Sequence, residues 1–134
     1  MAANPDRGEL DVEGLGNETR TLKFRTAELL LLEEQLGKDV LSFIGDRGGQ
    51  TKFLVAAVYA GLSRERDKKL TPMRVAAWFD DYKGDRAELQ KNILIAIARG
   101  KPGEEGKEMV RILQEAFGDD VKEDGKKPVP LGNG

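Results

Sequence analysis

The sequence predicts a mainly α protein in which an N-terminal β-hairpin packs on a small bundle of about five helices. Three observations carry that expectation. Near the N-terminus, apolar and polar residues alternate on both sides of a glycine-rich turn. Further on, apolar residues recur at helical spacing between glycines, prolines and capping residues. Apolar residues make up 39% of the chain against 34% charged, a balance that suits amphipathic helices with solvated outer faces.

The hairpin comes first. From Gly8 to Glu13, Leu10 and Val12 fall on one face, with Glu9, Asp11 and Glu13 on the other. From Thr19 to Arg25, Leu22 and Phe24 oppose Thr21, Lys23 and Arg25. Gly14-Leu15-Gly16-Asn17 lies between, rich in residues that tolerate positive φ, and reads as the turn. A lone hairpin is marginal in water, so Leu10, Val12, Leu22 and Phe24 are expected to face helices.

Thr26 is the expected N-cap of a helix over Ala27 to Leu36, with Glu28 at its positive dipole end and Gly37 as its stop. Its four consecutive leucines, Leu29 to Leu32, cover more than one helical face. Leu29, Leu32 and Leu36 make the core stripe, while Leu30 and Leu31 fall off its centre. A short helix is expected over Val40 to Ile44, then one over Thr51 to Leu62 with Leu54, Val55, Val58 and Leu62 on one face. Thr71-Pro72 is a strong helix start, and that helix runs to about Tyr82, carrying Met73, Ala76, Ala77, Trp78 and Phe79. Asp85 and Glu88 form a capping-box pair for the next helix, in which Leu89, Ile93, Leu94, Ala96 and Ile97 face inward until Gly100 and Pro102. The last helix spans about Glu104 to Phe117 with a stripe of Met109, Ile112, Leu113 and Phe117, ended by Gly118. Leu54, Val58, Ile93 and Ile112 are the expected core. Residues 1–7 read as a flexible arm, 8–118 as a single domain and 119–134 as a disordered tail, because the last segment has no apolar stripe to offset the ordering entropy.

Composition narrows the function. Cysteine and histidine are both absent, which removes thiolate chemistry, zinc-thiolate sites, disulfides, the commonest general base and the commonest metal ligand. Catalytic and metal sites, and cofactors, are therefore not expected, and the lack of cysteine points to the cytoplasm. The net charge is −2, with 22 basic and 24 acidic residues intermixed, so no nucleic-acid partner is expected. The N-terminus has no signal-peptide run, and the apolar stretch Phe53 to Leu62 is too short to span a bilayer, so no membrane partner is expected.

Individual motifs fit simple structural roles. Gly45-Asp46-Arg47-Gly48-Gly49 lacks the lysine and hydroxyl of a phosphate loop and reads as a connector. Asp80-Asp81 and Asp119-Asp120 lack the spacing of calcium ligands and read as helix-end acids. Arg64 to Lys69 interleaves both charge signs and reads as a solvated loop. Trp78, Phe79 and Tyr82 form the one aromatic cluster, with Trp78 and Tyr82 one turn apart on one face. They either close the core or supply an anchor for a partner, since Trp and Tyr dominate interface hot spots. The candidate partner-binding residues are thus Leu30, Leu31, Trp78 and Tyr82.

The layout resembles the phage tail assembly chaperones, specifically the small protein of gene transfer agent and siphophage tail clusters. The resembling features are Asn4-Pro5-Asp6-Arg7-Gly8-Glu9 and the strand end Thr21-Leu22-Lys23-Phe24. They continue in Ala27-Glu28-Leu29, in Leu32-Glu33-Glu34-Gln35-Leu36-Gly37, and in the helix end Tyr59-Ala60-Gly61-Leu62. They cover about residues 4 to 62, and their order and spacing carry the match. The resemblance implies a non-enzymatic morphogenetic factor. Such a factor binds the tape-measure protein, keeps it soluble, helps recruit tail tube protein and can form a homo-oligomer. A structural tail component of the virion, a helical adaptor of another bacterial complex and an enzyme working through carboxylates remain the alternatives.

Overall fold

The computed structural model describes residues 3–4, 7–37, 39–43, 50–64 and 69–118. Strands β1 (Glu9–Leu15) and β2 (Glu18–Lys23) form an antiparallel hairpin. Gly16 and Asn17 both take positive φ, 64° and 66°, the requirement of a two-residue turn whose twist matches the strands. The turn is tighter than the four residues expected, because Leu15 belongs to β1 and is fully buried. A bulge moves it inward: Glu13 and Gly14 stand opposite Thr19 alone, with Gly14 at φ 83°. One extra residue reverses the alternation, so Leu15 joins the face of Val12. Val12, Leu15, Leu22 and Phe24 are buried and Leu10 is half-buried.

Of the arm expected at residues 1–7, Ala3, Asn4 and Arg7 are described, and they bond to the hairpin or to one another. Ala3 N–H donates to Asp11 Oδ2 (3.1 Å), and the Arg7 and Glu9 amides donate to the Asn4 carbonyl (3.0 and 3.2 Å). The tail expected over 119–134, Asp119-Asp120 and the Gly45 to Gly49 connector lie outside the described residues.

Five α-helices follow among the described residues: α1 (Thr26–Leu36), α2 (Thr51–Gly61), α3 (Pro72–Asp80), α4 (Arg86–Gly100) and α5 (Gly103–Phe117). A 3₁₀ turn, Val40–Phe43, stands between α1 and α2. Thr26 is not the N-cap of α1. It is the first helical residue, because Arg25 holds the extended cap conformation and its N–H is taken by Glu28 Oε1 at 3.0 Å. Gly37, at φ 73°, ends α1 as expected. Thr71 Oγ1 accepts from the Arg74 amide and Asp85 Oδ1 from the Ala87 and Glu88 amides, so both expected caps form. The Glu88 side chain turns instead to Lys91 (2.9 Å).

Helix α2 is the centre of the molecule and packs against α1, α3, α4 and β2. Its burial runs nearly all round: Phe53, Leu54, Ala56, Ala57, Val58, Ala60 and Gly61 are buried, and Val55 is half-buried at the margin. Helix α4 packs on β1, α2 and α5, and α3 packs on α2 and β1. Leu89, Ile93, Leu94, Ala96 and Ile97 are all buried as expected. Ile112 is only half-buried, against expectation, because α5 makes its main contact with α4 alone and Met109 and Leu113 take the centre of that seam.

Two buried polar side chains lock this arrangement. Glu28 (1% exposed) pairs with Arg64 through Oε2 and Nε at 2.5 Å, tying the start of α1 to the chain leaving α2. Arg64 is therefore an anchored residue, whereas the charge run had been expected to be solvated throughout. Gln90 of α4 (2% exposed) accepts from the Gln50 N–H at 2.8 Å and donates to the Phe43 carbonyl at 3.3 Å.

Candidate functional site

The leucine run of α1 divides as helical geometry requires. Leu29, Leu32 and Leu36 are buried, while Leu30 lies about 125° around the helix from their centre. Leu30 is accordingly 65% exposed, a large apolar side chain open to water on a well-capped helix. Leu31, off centre on the other side, is half-buried against the margin of the core.

A second open side chain lies on α3. Val75 and Phe79 bury the inward stripe, and Met73 lies about 140° from it. Met73 is 79% exposed, and it and Leu30 are the exposed large apolar side chains among the described residues. The sequence places Met73 on this helix without giving it a face. The Val75–Phe79 spacing was the signal that could have placed it outside.

Trp78 and Tyr82 do not form a joint platform. Helix α3 ends at Asp80, two residues before the expected end, so Tyr82 lies beyond it. Tyr82 packs edge-on against Phe79, with centroids 5.4 Å apart and planes at 70°. Partial burial, and then the neighbouring Asp85 carboxylate, raise its pKa above the usual tyrosine value. Trp78 is occupied from the hairpin side. The Arg20 guanidinium carbon lies 4.0 Å from its ring centroid, while Arg20 Nε donates to the Leu15 carbonyl at 2.7 Å. Gly16 fits against the same ring, where a Cβ would come within 2.8 Å of Trp78 Nε1. Trp78 thus works as a strut between the hairpin turn and α3, and the cation–π contact with Arg20 uses one of its faces.

The four residues singled out from the sequence therefore divide. Leu30 is open and Leu31, Trp78 and Tyr82 are half-buried; Leu30 and Leu31 stand on α1 and Trp78 on α3, both of which pack on α2, while Tyr82 lies just past the end of α3. Among the described residues, no group of three or more acidic side chains is placed to hold a metal ion, and no helix is long and apolar enough to cross a membrane.

No protein-family model, curated protein or solved structure matches this chain. Leu30 on α1 and Met73 on α3 are the large apolar side chains left open to water among the described residues.

Proposed function

We propose that the protein is a tail assembly chaperone. It binds the tape-measure protein, keeps it soluble and helps bring tail tube subunits to it. The single observation that carries this reading is the exposure of Leu30 and Met73 on an otherwise charge-rich helical surface. The resemblance of residues 4 to 62 to that family supports it.

A long apolar client presents many similar helical segments, each of which needs cover from a protein that meets it with apolar side chains and shows charge to water. Two large side chains on rigid helices supply such a contact without unfolding the chaperone. The contact is mainly apolar and persists in moderate salt, because screening weakens exposed ion pairs and leaves apolar burial intact. Several copies coat one client.

The test is co-expression with a tape-measure protein from a phage or gene transfer agent tail cluster. The client should stay soluble and co-purify with several copies of this chain. Leu30→Lys combined with Met73→Lys should release the client while the melting temperature stays unchanged, because neither side chain contributes to the core. A client equally soluble without this protein, or bound equally by the double variant, would refute the proposal.

A further inference from the structure

Among the described residues, α5 is held to the molecule mainly by α4. Three of its 15 residues are buried, Gly106, Met109 and Leu113, against seven of 11 in α2. Gly106 brings no side chain, so Met109 and Leu113 carry the docking, with Val110, Ile112, Ala116 and Phe117 half-buried along its margin. The seam is also incomplete. A cleft of about 450 Å³ opens between the two helices, with Ala98 of α4 and Val110 of α5 in its lining.

The ion pairs of α5 join the helix to itself. Lys107 pairs with Glu104 at 3.7 Å, and Arg111 pairs with Glu108 and Glu115. These pairs leave with the helix, and exposed pairs contribute little in any case. The connection to α4 has the form of a hinge. Gly100, the last residue of α4, is fixed against the hairpin, since a Cβ there would lie 2.6 Å from the Gly8 Cα. Lys101 and Pro102 are extended, with ψ 130° and 160°. Gly103 then takes φ 72° with nothing within 4 Å of where a Cβ would stand. Proline fixes one φ and glycine frees the next, which confines motion to a few torsions.

We propose that α5 is a hinged flap that lifts from α4 as one unit while the hairpin and α1 to α4 stay folded. Two apolar side chains hold it down, so it opens at a free energy well below that of global unfolding. The open form bares Met109, Leu113 and the α4 surface beneath them, an apolar surface that the closed molecule hides. Leu30 and Met73 stand on α1 and α3, which the flap does not touch, so the proposal stands or falls independently of the chaperone reading.

The experiment is hydrogen exchange on the full, unmodified chain, read by mass spectrometry. A free helix of this length is marginal in water, so the α5 amides exchange once it lifts. They should exchange about a hundredfold faster than those of α2, at one common rate along the helix. Urea below the unfolding transition should hardly change that rate, because lifting exposes little surface. The chain has no cysteine, so Leu113→Cys and Val58→Cys each give a single buried thiol. A thiol reagent should label the first faster and with the weaker urea dependence. Exchange and labelling in α5 as slow as in α2 would overturn the proposal. So would α5 exchanging together with α4, or rates graded inward from Phe117, which would mean fraying.

Discussion

Gly8 and Gly100 meet backbone to backbone. A Cβ on Gly100 would lie 2.6 Å from the Gly8 Cα and 2.8 Å from its nitrogen, and a Cβ on Gly8 would lie 2.7 Å from the Phe24 carbonyl oxygen. This contact brings the end of α4 against the start of the hairpin. Gly100 thus does more than stop a helix, the only role that its position in the sequence suggested.

Gly100→Ala should accordingly be destabilising. Alanine ordinarily gains up to about 1 kcal/mol over glycine inside a helix. Here the added methyl meets backbone that cannot rotate away, and overpacking of this kind costs about 1–3 kcal/mol. Urea denaturation reads the sign directly, and a gain in stability would show that β1 and α4 can separate without loss.

Arg64→Ala should cost about 2 kcal/mol, less than the 3–5 kcal/mol typical when a fully buried pair is broken, because the Arg64 side chain is 45% exposed and water can partly replace it. The buried Glu28 carboxylate is left with the Arg25 N–H. A double-mutant cycle with Glu28→Gln isolates the coupling, and strictly additive effects would show that the two groups do not interact.

Gln90→Leu keeps the side-chain volume and removes both bonds, to the Gln50 N–H and to the Phe43 carbonyl. The expected loss is about 1–3 kcal/mol, the cost of buried polar groups deprived of a partner. Chemical denaturation measures it, and faster amide exchange at Gln50 should accompany it. Stability equal to the parent would mean that the two backbone groups find other bonds.

The raised pKa of Tyr82 predicts a loss of stability at high pH. Below about pH 10 the phenol is neutral in both states and makes no pH-dependent difference. Above that value the unfolded chain ionises first, so it binds fewer protons than the native state and stability falls as pH rises. Tyr59 and Tyr82 are the two tyrosines of the chain, so in Tyr59→Phe the ultraviolet phenolate signal reports Tyr82 alone. Its midpoint should lie above about 10, and an ordinary midpoint would contradict the burial described here.

The elements that were legible in the sequence are those specified by neighbours in the chain. Leu22 and Phe24 announce a strand by alternation, Thr71-Pro72 announces a helix by its cap, and Asp85 does the same. Leu30 was legible because helical geometry alone moves it off the stripe of Leu29, Leu32 and Leu36. Features set by distant partners were not legible. Arg64 meets Glu28 across 36 positions, and Gln90 reaches Gln50 and Phe43 across 40 and 47, so a charge run and a helical glutamine carried no local sign of either role. Leu15 was misplaced for a different reason: the bulge at Gly14 shifts the alternation by one residue, and counting by twos cannot detect it. Nothing near Trp78 in the chain reveals that Arg20 covers one face of its ring.

Because a single side chain, Gln90, bonds on both sides of residues 44–49, the separation between Phe43 and Gln50 is set by α4 and not by the number of residues joining them. Gln90 thus acts as a gauge between the 3₁₀ turn and α2: a shift of α4 along either one has to break a bond to the Phe43 carbonyl or to the Gln50 N–H.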